Sequence, residues 1–230
     1  MSDQSLTPWS LAQMIDQTLL RPNATLAQFE AFCRQAYKYN FKMVAVNSAM
    51  TRICKDFLRD SPVRVGAAIG FPLGQTTVAD KVFETENAIL AGADEIDYMV
   101  NLVALKSGDL ALVEREMCEI VAVCRRYGRT SKVIFENCYL SDDEKKTLCG
   151  IALKVQPDFI KTSTGFGIGS ATVEDVRLMK QMVGDKIGIK AAGGMRTLDD
   201  VLRMVEAGAT RIGTSAGVQI VDELRARLSP

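Results

Sequence analysis

A lysine at the end of an apolar strand sets the chemical question. In "PDFIKTSTGFGIGSAT" (157–172), Phe159-Ile160 delivers Lys161 into a run of Thr, Ser and Gly. A lysine so placed suits a Schiff-base nucleophile, which needs a neutral amine at working pH. The ordinary lysine pKa is about 10.4, so the site has to lower it by desolvation or by a neighbouring cation. Lys190, in "GIKAAGG", offers such a cation. The pattern leaves open whether Lys190 activates Lys161, is itself the nucleophile, or binds phosphate beside Gly193 and Gly194. The bland alternative for Lys161 is an ion pair with Glu136 or Asp97 in a structural network, since such pairs also perturb pKa values.

The elements that must position these lysines follow from hydrophobic pattern. Val- and Ile-rich segments at 14–19, 43–47, 64–70, 95–100, 132–137, 159–162, 188–192 and 211–214 read as strands. Helical periods occupy 25–40, 76–93, 110–128, 141–155, 172–184 and 197–208, with Ser141 and Thr197 as N-caps and Gly128 and Gly208 as stops. Strands alternating with helices imply parallel βαβ units, and eight strands in 230 residues fit one closed (β/α)₈ barrel domain spanning 1–230. An open doubly wound sheet is the alternative, but no GxGxxG follows the first strand.

In such a barrel chemistry gathers at the C-terminal ends of the strands. Polar residues interrupting those ends are Asp16, Thr18, Asn47, Asp97, Glu136, Lys161, Lys190 and the Gly/Ser sets at 193–194 and 213–217. If Ile96 faces the helices, Glu95 and Asp97 point inward, with Asp97 nearer the reactive end and Asp94 at the strand's entrance. Asp97 is then the candidate for proton transfer, and Asp94 and Glu95 are expected in structural pairs. Glu136 is expected to balance the lysine charge. "KAAGGMRT" (190–197) and "RIGTSAG" (211–217) place bare backbone amides after the last two strands, where this fold commonly cradles phosphate. Arg196 fits either a phosphate ligand or a surface residue at a helix start. "IGFPLGQTT" (69–77) reads as a shaped loop, and Lys106 as a surface residue.

Composition narrows the classes further. Lys+Arg and Asp+Glu balance at 28 each, and the basic residues are scattered, which argues against nucleic-acid binding. No apolar segment has the length of a membrane span, and "MSDQSLTPWS" lacks the basic-then-apolar order of a signal peptide. Cysteines 33, 54, 118, 124, 138 and 149 follow no metal-knuckle spacing. They fit reduced thiols in a cytoplasmic protein, with Cys118 and Cys124 as packing residues. The absence of histidine excludes His-based triads and His-based zinc sites.

Beyond these patterns, "IDQTLL" (15–20), "VAVN" (44–47), "AIGFPLG" (68–74), "GADEIDYMVN" (92–101), "DFIKTSTGFG" (158–167), "IKAAGGMRT" (189–197) and "ATRIGTSAG" (209–217) resemble the signature segments of the deoxyribose-phosphate aldolases. The resemblance implies a class I aldolase that reversibly cleaves 2-deoxy-D-ribose 5-phosphate to D-glyceraldehyde 3-phosphate and acetaldehyde. It implies no metal or organic cofactor, and a homo-oligomer, dimer or tetramer. Lys161 matches the family's Schiff-base lysine, Lys190 the lysine that depresses its pKa, and Asp97 the acid of the proton relay. Asp16, Thr18, Thr164, Gly193, Gly194, Gly213, Thr214 and Ser215 fall at substrate and phosphate positions, which Asn47 and Gly165 extend. Departures are Gln17 where the family usually has His, Phe166 where some members have Lys, Ala192 and Ala216 where Ser is common, and Ser170 where Gly is common. Gln17 cannot titrate, so a proton role there is lost. Without a lysine at 166, phosphate charge falls to backbone amides and Arg196. A related aldolase acting on another sugar is the alternative. A non-catalytic sugar-phosphate sensor would be expected to have lost Lys161, Lys190 or Asp97.

Overall fold

The computed structural model describes residues 6–229. Eight parallel strands close into a barrel in sequence order: β1 (Ile15–Leu19), β2 (Met43–Asn47), β3 (Arg64–Ile69), β4 (Glu95–Met99), β5 (Thr130–Ile134), β6 (Phe159–Lys161), β7 (Gly188–Ala192) and β8 (Arg211–Thr214), with β8 returning to β1. An outer ring follows in chain order: α1 (Pro8–Ala12), α2 (Leu26–Tyr39), α3 (Thr51–Phe57), α4 (Val78–Leu90), α5 (Leu102–Lys106), α6 (Leu110–Arg126), α7 (Asp142–Val155), α8 (Val173–Val183), α9 (Leu198–Ala207) and α10 (Gly217–Leu228). The expected closed barrel is present, and the open sheet is excluded by the β1–β8 ladder.

Local chemistry explains where the helices begin. Thr25, Thr77, Ser141 and Thr197 each accept the N–H three residues on, while the residue at that position reaches back to the cap's own N–H. Gly208, at φ 116°, closes α9 in the left-handed region that an L side chain resists. The helices absent from the sequence reading are α1, α3, α5 and α10. The first three span only five to seven residues, too short for a period to stand out. The β5 segment also differs: it starts at Thr130, two residues before the expected strand, and its regular pairing ends at Ile134. Glu136 then takes a left-handed backbone at φ 55°.

Two different cores result from strand alternation. Outward residues such as Ile15, Val44, Val65, Ile96, Val133, Ile160, Ile189 and Ile212 are fully or almost fully buried against the helices. Each such side chain contributes about 1.5–3 kcal/mol of apolar burial. The barrel interior is instead charged. Its long side chains find room because small residues stand among them. A Cβ on Gly66 would lie 2.4 Å from the Met43 thioether, and one on Gly188 would lie 2.4 Å from the Phe159 ring.

Candidate active site

Strand register brings the charged residues together. β6 and β7 pair Lys161 with Lys190, β4 and β5 pair Asp97 with Lys132, and β7 and β8 pair Lys190 with Arg211. Asp97 is the hub. Its Oδ2 accepts from Lys161 Nζ at 2.9 Å and Lys190 Nζ at 2.6 Å, while Oδ1 accepts from Lys132 Nζ at 2.6 Å. Below it, Lys132 Nζ lies 2.7 Å from Glu95 Oε2, and Glu95 also meets Arg211 and Arg64. Arg211 Nη1 donates to Asp16 Oδ1 at 2.7 Å. Lys190 Nζ approaches Asp16 Oδ2 to 2.6 Å without hydrogen-bond geometry, so that buried oxygen keeps no hydrogen-bond partner.

Contact number separates the cations. Lys132, Lys190 and Arg211 each touch two of the three carboxylates Asp16, Glu95 and Asp97, whereas Lys161 touches only Asp97, which it shares. At their usual charges these four cations outnumber the three carboxylates. A surplus buried charge is costly, and losing a proton is its easiest relief. Lys161 is the least compensated, and its pKa falls to about 8. Burial is the largest cause; Asp97 opposes it, and the Lys190 and then Lys132 charges add to the depression. For Asp97, burial favours the neutral acid, but Lys132, Lys161 and Lys190 together outweigh it and hold the carboxyl well below its usual range. Glu95 is likewise brought to about 2, where Lys132 and Arg211 overcome burial.

Above this column a cavity of about 350 Å³ opens at the C-terminal ends of the strands. Lys161 reaches it; Lys190 and Asp97 lie directly behind, almost fully buried. Thr18, Thr164, Gly165, Gly193, Gly194, Gly213, Thr214 and Ser215 line it, as the sequence reading expects. Among the described residues its charged lining is entirely basic: Lys161, Arg21 and Arg196, with no carboxylate. Gly194 is required by geometry, since its φ is 78° and a Cβ would lie 2.9 Å from Ser170 Cβ. A Cβ on Gly213 would lie 3.1 Å from Lys190 Cε, so this glycine leaves space for the lysine. The Thr214 hydroxyl donates to Met195 O at 2.6 Å and accepts from the Ala216 N–H, joining the two glycine loops.

Several expectations need correction. Asp16 was expected at the cavity, but it is fully buried one layer down, because it is only the second residue of β1. Asn47 does not line the cavity either; its Nδ2 donates to Leu20 O at 3.0 Å and braces the loop that does. Glu136 makes no ion pair with a lysine among the described residues. It accepts instead from the Thr164 N–H at 3.1 Å and from the Thr164 hydroxyl, anchoring the β6–α8 loop. Gln17 does not line the cavity: its amide donates to Ser215 O and accepts from the Gly217 N–H, tying β1 to the start of α10. The histidine-to-glutamine departure therefore changes a brace rather than a proton donor at the cavity. Cys118 is exposed rather than packed, unlike Cys124, and all six thiols are free. Glu95 and Asp94 do form structural pairs, and Lys106 lies on the surface against Glu144.

Three participants escaped the sequence reading: Lys132, Arg211 and Arg21. Lys132 and Arg211 sit near strand starts, where a basic residue reads as a surface entry. The signal for Lys132 was its even spacing from Ile134 and Glu136, which shares a face if the strand begins earlier. Among the described residues no group of three or more Cys, Asp and Glu side chains is disposed to hold a metal ion.

Comparison with known proteins accords with this arrangement. A family model described as DeoC/LacD family aldolase matches residues 10–222. The deoxyribose-phosphate aldolase of Lactobacillus acidophilus is 52% identical over 217 residues, spanning 94% of this chain and 92% of its own. That of Thermococcus kodakarensis is 49% identical over 214 residues, spanning 92% and 96%. The tetrameric deoxyribose phosphate aldolase of Aeropyrum pernix superposes with a TM-score of 0.89 at 31% identity, covering 96% of this chain and 94% of its own. A lysine-bearing barrel mouth, a family model spanning nearly the whole chain and relatives at half identity converge: the chain belongs to the DeoC/LacD family of aldolases.

Proposed function

We propose that the protein is a Schiff-base deoxyribose-phosphate aldolase. It reversibly cleaves 2-deoxy-D-ribose 5-phosphate into D-glyceraldehyde 3-phosphate and acetaldehyde, in cytoplasmic deoxyribonucleotide and deoxynucleoside catabolism. The observation that carries this reading is Lys161: it is the one lysine that lines the cavity, it is the least compensated of the buried cations, and its pKa lies at about 8.

The neutral Lys161 amine attacks C1 of the open-chain sugar to give a carbinolamine. Loss of water yields an iminium, an electron sink two atoms from the bond that breaks. A base takes the C3 hydroxyl proton, the C2–C3 bond breaks, and its electron pair moves into an enamine as glyceraldehyde 3-phosphate leaves. Water held by Asp97 and Lys190 serves as that base and returns the proton to C2. Hydrolysis of the resulting iminium releases acetaldehyde and frees the amine. Asp97, kept ionised by three lysines, suits a relay rather than a proton reservoir.

The phosphate end of the substrate suits the far side of the cavity. Residues 193–194 and 213–215 line it from the ends of β7 and β8, and Arg21 and Arg196 have no carboxylate within ion-pair distance among the described residues. A cavity that sets two unpaired arginines beside the reactive lysine, with no acid among the described residues, favours a phosphorylated sugar over a neutral one. Closure of the sheet from β1 to β8 supports reading 1–230 as one domain. Exposed Phe83 and Leu90, seven residues apart on one face of α4, support a homo-oligomer, dimer or tetramer. No helix among the described residues is long and apolar enough to cross a membrane.

The test is a deoxyribose 5-phosphate cleavage assay in the presence of EDTA. Activity is expected to survive chelation and to vanish in Lys161→Ala. In Lys190→Leu, the pH needed for activity is expected to rise as one depressing charge is lost. Metal-dependent cleavage would end the class I reading, and an unchanged pH profile in Lys190→Leu would remove that residue's pKa-lowering role.

A further inference from the structure

Lys132 takes no proton or bond-making step in the chemistry described above and does not line the cavity, yet its side chain is completely buried in the centre of the barrel. Buried ion pairs seldom increase stability over apolar residues of the same volume, so stability alone is a weak reason for an ammonium there. Its register partner on β6 is Phe159, and its polar contacts are all to charge or sulfur. From β4 it meets Asp97 Oδ1 at 2.6 Å and Glu95 Oε2 at 2.7 Å, and from β2 the Met43 sulfur at 3.7 Å. Asp16 on β1 and Arg211 on β8 act on it across the interior, and its charge acts on Lys161 on β6 and on the Cys124 thiol of α6 behind β5. Lys190 on β7 shares Asp97 with it, and Arg64 on β3 and Lys42 complete the charged set near Glu95.

We propose that Lys132 is a positioning residue of the aldol reaction: its ammonium holds Asp97 by one oxygen and supplies the surplus positive charge that leaves Lys161 as a neutral amine. The charge count carries the inference. Arg64 also meets Glu95, but its side chain is half-exposed and its charge is shared with solvent. Among the buried groups Asp16, Glu95 and Asp97 are matched by Lys132, Lys190 and Arg211, and Lys161 is the extra cation. Without Lys132, a protonated Lys161 becomes the third match, and the column favours the ammonium that cannot attack a carbonyl. The geometry acts in the same direction. Lys132 occupies Asp97 Oδ1, so only Oδ2 remains for Lys161, and Lys190 already takes it at the shorter distance. Freed from Lys132, Asp97 has a second oxygen with which to bind Lys161.

The inference rests on Lys161 as the Schiff-base lysine, and one measurement separates the two. Full-length wild type and Lys132→Met are incubated with acetaldehyde and borohydride between about pH 5 and 10, and the rate of adduct formation on Lys161 is followed by peptide mass spectrometry. The midpoint of the rise is expected to move up by about one pH unit or more in Lys132→Met, a loss of about tenfold near neutral pH that is recovered at high pH. An equal loss at every pH, with the midpoint unchanged, would overturn the proposal and leave Lys132 a packing residue. Glu95→Gln supplies the opposite sign and decides the matter if Lys132→Met fails to fold. It removes a carboxylate, leaves the cations more numerous still, and is expected to move the midpoint down. An unmoved or raised midpoint in Glu95→Gln would overturn the proposal. A wild type with no adduct on Lys161 would overturn both this inference and the mechanism beneath it.

Discussion

Lys161 and Lys190 are the same residue type, sit in register and share one carboxylate oxygen, yet they differ in what else they touch. Lys190 has Asp16 as a second counter-ion and lies just behind the cavity lining, whereas Lys161 has no second partner and lines the cavity itself. That asymmetry favours Lys161 as the proposed nucleophile, a choice that sequence pattern left undecided between the two lysines. The same reasoning applies to the arginines at the cavity rim. Arg21 and Arg196 are exposed and lack carboxylate partners among the described residues, so they are available to a dianionic phosphate. Exposure limits each contact to about 1 kcal/mol, so Arg21→Ala and Arg196→Ala are each expected to raise KM for deoxyribose 5-phosphate about fivefold. Cleavage of unphosphorylated 2-deoxyribose should be unaffected. Steady-state kinetics on both sugars check this, and equal losses on the two would take the arginines out of phosphate binding.

At the scale of elements, the position of a residue along its strand decides whether it is reagent or support. Lys161 ends β6 and reaches the cavity; Asp97 and Lys190 are third of five and lie just behind; Asp16 is second of five and lies below. Sequence pattern read strand identity well, because outward Val and Ile runs are conspicuous, and it found the glycine loops from their order after the last strands. Depth was harder to read, because strand starts blur by a residue or two. That blur placed Asp16 at the cavity, hid Lys132 at the apparent entrance of β5, and gave Glu136 to the lysines although its left-handed backbone belongs to a loop anchor. The β7–α9 loop offers a test at this scale. Ala at 194 would have to adopt φ 78° and push against Ser170, at a cost of about 1–2 kcal/mol. Gly194→Ala is expected to raise KM for the phosphorylated sugar about tenfold with kcat nearly unchanged, because the strand carrying Lys190 is untouched. A fall in kcat at constant KM would place the loop in the chemistry instead.

The whole molecule divides into an apolar shell between strands and helices, which maintains the barrel, and a charged column inside it, which the shell isolates from water. Isolation is what makes the column effective, since charges at a few ångströms interact far more strongly there than in solvent. The same isolation, with no histidine in the chain, makes lysine ionisation the natural source of pH dependence near neutrality. With a Lys161 pKa of about 8, the amine is protonated and unreactive below that value and free above it. Adduct formation should therefore fall as the pH drops through about 8. The most direct measurement is borohydride trapping of the wild-type protein with deoxyribose 5-phosphate, in EDTA, followed by peptide mapping. A reduced covalent adduct on the peptide carrying Lys161, forming more slowly as the pH is lowered, is the expected result; an adduct on Lys190, or none at all, would contradict the assignment of Lys161 as the nucleophile.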